Sequence, residues 1–224
     1  MGPAVDPARV HVVVEARRTV SYTAESQDGF HAALDAVNRA LPSGDVTCIL
    51  CDHGVAQPIA LDWHVRTGAD TMAGRAVTAT SRAGSLQAIR SAIASLQDGD
   101  VLIIAAPSAP CAVLGGRLVH AAARRHARGI VVDGFLRDLP TLQEHPLAVA
   151  ARGIRPNRAA VLEPDTTGSP VRIGGVTIQP GDLVVADANG IVAVPQLHLG
   201  KVGRTLAAWL EEERRMDAEI AASA

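Results

Sequence analysis

From Phe30 onward, Phe30, Ala33, Leu34, Val37, Ala40 and Leu41 recur every three or four residues, which sets them on one face of a helix. Pro42-Ser43-Gly44 brings that helix to a stop. Leu86, Ile89, Ile93 and Leu96 draw a second such stripe. Asp98-Gly99-Asp100 then turns the chain into residues 101–105, a wholly apolar run of strand length. Residues 10–14, 76–80 and 130–132 are rich in β-branched or small apolar side chains and predict further strands. An amphipathic stretch after Gly116 predicts a helix, so residues 101–132 make one β-α-β unit. Residues 46–51 are apolar but too short for periodicity to choose between strand and helix.

The second half changes character. Residues 171–173 and 176–178 flank Gly174-Gly175, a strong hairpin signal. Pro180-Gly181-Asp182 is a further turn, followed by strands at 183–186 and 191–194. Leu206, Trp209 and Leu210 mark a final helix with a charged tail. Helices and parallel pairing come first and hairpins later. That order predicts one α/β domain over residues 1–224, a layered α/β/β sandwich without repeats or linkers.

Hydrophobic content of 48% and charged content of 20% are globular values and exclude wholesale disorder. A net charge of −2 without a basic run leaves nucleic-acid binding no electrostatic basis, and 2% aromatics offer no platform for base stacking. The opening MGPAVDPARV lacks the basic and apolar regions of a signal peptide, and no apolar stretch could span a bilayer, so a soluble cytoplasmic protein without a membrane partner is expected. Cys48, Cys51 and Cys111 read as reduced thiols. Lys201 is the only lysine and opens the C-terminal helical stretch, which disfavours imine chemistry.

The densest motif runs from Gly115-Gly116 to Arg137-Asp138, GGRLVHAAARRHARGIVVDGFLRD. A glycine turn that opens a helix faces backbone N–H groups toward an anion, and the helix dipole favours one there. The crossover brings that turn near the end of the next strand, where Arg137 and Asp138 follow. N–H donors and a guanidinium suit a carboxylate, and the aspartate suits a divalent metal. The plainer alternative makes Arg137-Asp138 an exposed ion pair with Asp138 capping a short helix, and Gly115-Gly116 a mere turn. Cys48-x-x-Cys51 with His53 lacks a second cysteine pair for zinc and predicts two buried core thiols. His120 and His126 are expected on the surface of the crossover helix. Asp187, in DANG, either approaches the site or serves its turn. No G-x-S-x-G, Walker or G-x-G-x-x-G motif is present.

Taken with MAGRAVT at 72–78, residues 99–104 and GDLVVADANGIVAVP at 181–195, the glycine-to-aspartate run resembles the RraA-like family. That family includes the regulator of ribonuclease E activity and the class II 4-hydroxy-4-methyl-2-oxoglutarate aldolases. The resemblance covers roughly residues 45–195, leaving a strand-helix addition at 1–44 and a helix at 196–224. It implies an α/β/β fold assembled as homotrimers or homohexamers with interfacial sites. For the aldolases it implies Mg²⁺- or Mn²⁺-dependent cleavage of 4-carboxy-4-hydroxy-2-oxoacids to pyruvate and a second oxoacid, and decarboxylation of oxaloacetate. It further implies that Arg137 binds substrate and Asp138 holds the metal, the two forming the catalytic pair. Gly115, Gly116, Arg117 and Leu118 would form the loop whose amides hold the substrate carboxylate. Where the aldolases carry two acids that order metal-bound water and move protons, this chain has Gly116 and Thr141. Asp133, Glu144 or an acid from a neighbouring subunit are the candidate replacements. The expectation is a divalent-metal-dependent carbon–carbon lyase on a small 2-oxoacid such as 4-hydroxy-4-methyl-2-oxoglutarate or oxaloacetate. The alternatives are a non-catalytic, regulator-like oligomeric binding protein and a specialised enzyme with repurposed chemistry on the same site.

Overall fold

In the computed structural model, which describes residues 24–82, 84–158 and 165–223, a nine-stranded mixed sheet lies between a layer of helices and a two-stranded β layer. The chain runs through α1 (Ala24–Ala40), α2 (Val46–Asp52), β1 (Gln57–Pro58), β2 (Val65–Thr67), β3 (Met72–Thr80), α3 (Gln87–Ser95) and β4 (Val101–Ala105). It continues through β5 (Ala112–Leu114), α4 (Gly116–Ala123), β6 (Gly129–Leu136), α5 (Leu139–Gln143) and β7 (Ala148–Ile154). The hairpin β8 (Val171–Ile173) and β9 (Val176–Ile178) follows, then β10 (Leu183–Asp187), β11 (Gly190–Val194) and α6 (Leu199–Ser223).

The sheet order is β1-β11-β10-β3-β4-β6-β7-β2, with β5 added on β6. β3, β4, β6 and β7 are parallel, so their carboxyl ends share one edge of the domain. β4 reads Val-Leu-Ile-Ile-Ala without alternation because both of its faces are covered. Ile104, Ile130 and Val132 pack beneath Ile89 and Ile93 of α3 and Val119 of α4. On the same face, Val37, Leu50 and Leu206 of α1, α2 and α6 cover Val185 and Val192. Ile103, Val131 and Val184 point the other way, onto Ile173 and Ile178 of the hairpin. These are the three layers of an α/β/β sandwich.

The hairpin turn requires both of its glycines. Gly174 and Gly175 have φ of 54° and 83°, the left-handed pair of a tight turn that matches strand twist. At Gly174 a Cβ would also come within 2.8 Å of the Ala60 backbone.

Several elements differ from the sequence expectation. Residues 46–51 are helical, and the first helix begins at Ala24, ahead of Phe30. The expected strand at 10–14 lies outside the described residues. β1, β2, β5 and β7 were not expected at all. β7 reads Ala-Val-Ala-Ala-Arg-Gly-Ile, poor in β-branched side chains, and its extended state rests on pairing with β6 and β2. The last helix runs unbroken through the charged tail to Ser223. Among the described residues, no helix is long and apolar enough to cross a membrane.

Candidate functional site

The β5-to-α4 turn and the end of β6 meet at the carboxyl edge of the parallel strands. Short β5 pairs with the last residues of β6, Ala112 opposite Phe135 and Leu114 opposite Leu136. The Arg137 N–H donates to the Leu114 carbonyl at 3.0 Å, which brings the two chain segments together. Gly115 takes the N-cap place of α4 in a fully extended conformation. As an N-cap, glycine has no side chain to satisfy the first amides of the helix. One of them, the Gly116 N–H, donates to Oδ2 of Asp138 at 3.1 Å. The Leu118 N–H turns inward to the Gly115 carbonyl at 2.9 Å.

Asp138 stands at the N-cap position of α5, yet its side chain makes no capping bond there. Its φ of 63° places it in the left-handed region, unusual for a residue with a side chain though less so for Asp. The carboxylate is thereby turned back onto the α4 amide and set beside the Arg137 guanidinium, whose Nε lies 3.6 Å from Oδ1. The two side chains stay 38% and 40% exposed, so the pair is an open shelf. That is more than helix capping requires.

Both glycines leave space that a Cβ would take. A Cβ on Gly115 would meet Asp138 Oδ2 at 2.7 Å and Arg137 Cγ at 3.1 Å. A Cβ on Gly116 would sit 3.0 Å from Thr141 Cγ2 and 3.8 Å from Asp138 Oδ2. Gly116 and Thr141, far apart in sequence, are thus neighbours above Asp138. Arg117 is exposed, and half-buried Leu118 packs against the α3–α4 core.

Asp133 is buried and committed to Arg152, whose Nη1 donates to its carboxylate at 3.2 Å. Burial pushes the Asp133 carboxyl up, and the Arg152 charge and hydrogen bond pull it back. Glu144 closes α5 and is exposed. Along the same edge, the Arg155 guanidinium stacks 3.8 Å from the centre of the Phe135 ring. Arg152 and Arg155 were missed in the sequence because β7 was not recognised. Their three-residue spacing in ARGIR was the available signal.

Of the two roles open to Asp187, the structure shows the turn and not the approach to the site. Asp187 is fully buried, accepting from the Thr47 N–H at 2.8 Å, the Thr47 hydroxyl at 2.6 Å and the Asn189 N–H at 2.9 Å. It pins α2 at the amino end of β3, opposite to Asp138, because Ala186 pairs with Met72. The expectation that Cys48 and Cys51 are buried core thiols is overturned. Cys48 is exposed and Cys51 half-buried, whereas Cys111 is buried. His120 is exposed on α4, as expected, whereas His126 is exposed in the turn beyond the helix, with φ of 58°.

Among the described residues, two clefts away from Asp138 stand out, and neither reaches it. The larger, about 690 Å³, lies at the amino end of the strands between Asn38, Met72, Arg128 and Leu147. The smaller, about 270 Å³, lies between α1 and the Arg75–Asp100 ion pair. Chemistry decides the assignment here, since neither cleft joins a free carboxylate face, a guanidinium and a glycine-opened helix. Among the described residues no three His, Cys, Asp or Glu side chains converge on a metal position. Asp138 keeps lone pairs beyond the one taken by Gly116. Such a lone carboxylate fits an ion like Mg²⁺, which retains most of its water when protein-bound.

Residues 47–193 match the model of the RraA-like family, described as Aldolase/RraA. A Deinococcus radiodurans protein named "Putative 4-hydroxy-4-methyl-2-oxoglutarate aldolase" is 32% identical over 151 residues, 67% of this chain and 92% of its own length. The RNA-processing inhibitor RraA of Thermus thermophilis superposes with a TM-score of 0.60 at 26% identity, over 67% of this chain and 92% of its own. An uncharacterized protein from Pseudomonas syringae pv. tomato gives a TM-score of 0.70 at 25% identity, over 87% of this chain and 90% of its own.

Proposed function

The chain belongs to the RraA-like family, and on that premise we propose that it is a divalent-metal-dependent carbon–carbon lyase acting on a small 2-oxoacid by retro-aldol cleavage or decarboxylation. One observation carries the reading. Asp138 occupies a helix N-cap without capping, and turns its carboxylate instead to Gly116 and Arg137 on an exposed shelf.

Asp138 would hold Mg²⁺ or Mn²⁺ through one carboxylate, with water completing the shell. A metal there supplies Lewis-acid stabilisation of the negative charge that develops on a 2-oxoacid as its carbon–carbon bond breaks. Arg137 would offer its guanidinium to the substrate carboxylate, and the α4 N-terminus adds the positive end of a helix dipole. Gly115 and Gly116 keep the approach clear of side chains. Homologues named as 4-hydroxy-4-methyl-2-oxoglutarate aldolases support a 2-oxoacid substrate of that kind, with oxaloacetate as the simpler alternative. A homotrimer or homohexamer in the cytoplasm, with the shelf closed by a neighbouring subunit, completes the proposal.

The second reading is a non-catalytic, regulator-like binding protein, favoured by Gly116 and Thr141 standing together where proton-handling acids would act. One assay separates the two. For the lyase, oxaloacetate loses CO₂ faster with protein and Mn²⁺ than with Mn²⁺ alone, EDTA removes the difference, and Asp138→Asn abolishes it. A rate equal to that of free Mn²⁺ with both oxaloacetate and a 4-hydroxy-2-oxoacid rejects the lyase.

A further inference from the structure

Away from the shelf, α2 carries a feature the lyase reading does not use. Val46, Thr47, Ile49 and Leu50 face inward, and Asp187 ties the first turn down through Thr47. Cys48 and Cys51 lie three residues apart on the outer side of the same two turns. The first is exposed and the second is half-sunk against the core of α1, α2 and α6. Helix geometry sets their Cα atoms about 5 Å apart, inside the range of about 4.4–6.8 Å that a disulfide spans. Cys111, buried elsewhere, takes no part.

We propose that Cys48 and Cys51 form a redox modification site, a vicinal dithiol that a small-molecule disulfide converts to an intramolecular disulfide on α2. The Cys48 thiolate attacks one sulfur of the reagent, forming a mixed disulfide and releasing one thiol. The Cys51 thiolate then attacks the Cys48 sulfur, closes the protein disulfide and releases the second thiol. The protein loses two electrons and two protons, and the reagent disulfide is reduced to two thiols.

The roles follow from position. Cys48 meets reagents in solution, while Cys51 is shielded from them and adjacent to its partner. Burial, the neighbouring Cys48 and the carboxylates of Asp52 and Asp187 push the Cys51 thiol up. These surroundings do not favour the Cys51 thiolate, which suits the shielded, second-acting member of the pair.

The test uses the full chain equilibrated with oxidised glutathione, quenched with acid, alkylated and read by intact mass and peptide mapping. Two of the three thiols become unreactive, with the chain lighter by about 2 Da, and the link maps to Cys48–Cys51. Cys51→Ser traps glutathione on Cys48, Cys48→Ser suppresses oxidation, and Cys111→Ser behaves as the wild type. Cys48→Ser is an exposed change, so its folding is checked simply by an unchanged circular dichroism spectrum and melting curve. Three thiols still reactive after equilibration would overturn the proposal. So would a wild-type mixed disulfide that never closes, or disulfide-linked dimers on a non-reducing gel.

Discussion

Asp138 does the most with the least. Its left-handed backbone is tolerable for Asp or Asn, so Asp138→Asn removes the charge while keeping the turn. Mn²⁺ affinity, measured by calorimetric titration, should fall at least about tenfold in that variant, about 1.4 kcal/mol. An unchanged titration would remove Asp138 from the metal reading. Thr141 offers the opposite experiment, since it is exposed and its methyl borders Gly116. Thr141→Asp should restore a proton-handling acid and raise retro-aldol turnover toward the roughly 10²–10⁴-fold such groups supply. Gly116 is not at positive φ, so Gly116→Asp meets no backbone penalty, but its Cβ crowds Thr141 at 3.0 Å. The single change at 141 is the cleaner test. A wild type that is already fast, and slowed by Thr141→Asp, would show that the acid comes from elsewhere.

Asp133 carries a pH dependence of definite sign. Its folded carboxyl is raised above the ordinary 3.8 mainly by burial. Raising the pH past that value ionises the unfolded chain first, so the wild type loses stability until Asp133 also ionises in the fold. Asp133→Asn, neutral throughout, should gain on the wild type in urea unfolding as the pH rises from about 4 to 7. A wild type that gains instead would mean that attraction to Arg152 outweighs burial.

The turn from β5 into α4 positions the site, and it does so by being empty. Gly115 is extended, with φ of −158°, so any residue could adopt its backbone. What demands glycine is the Asp138 oxygen 2.7 Å from where a Cβ would stand. Gly115→Ala should therefore push Asp138 and Arg137 aside, lowering Mn²⁺ binding and decarboxylation while leaving the far-ultraviolet circular dichroism unchanged. Full activity in Gly115→Ala would show that the Asp138 position is not critical. At the opposite end of the sheet, Asp187 caps α2 from across the fold, and Asp45, the residue before that helix, makes no capping bond. Local signals at α2 were weak for that reason: its N-terminus is satisfied by a residue 140 positions away.

For the domain as a unit, the notable fact is that the shelf is open. Arg137 and Asp138 are well exposed at the carboxyl edge, near Ile154, an apolar residue 41% exposed at the end of β7. A neighbouring subunit would close the shelf and exclude water. Light scattering after size exclusion should give a trimer or hexamer, and activity per chain should fall on dilution below the assembly concentration. A fully active monomer would separate catalysis from assembly.

Local patterning was enough for the helical stripes of α1 and α3, the apolar run of β4, the Gly-Gly hairpin and the α/β/β layering. Each element depends on residues within one short window, where the spacing of apolar side chains already dictates which face is buried, and the layering follows from the order of those elements along the chain. The same window showed that Gly115, Gly116, Arg137 and Asp138 belong to one β-α-β unit. It could not show that Asp138 forgoes its cap for Gly116, that Gly116 touches Thr141, or that Asp133 is spent on Arg152. Nor could it place Cys48 in solvent, send Asp187 to the far end of the sheet, or make a strand of the alanine-rich β7. Those outcomes depend on contacts between segments distant in sequence, and burial and hydrogen-bond satisfaction are settled only once the sheet has brought the segments together.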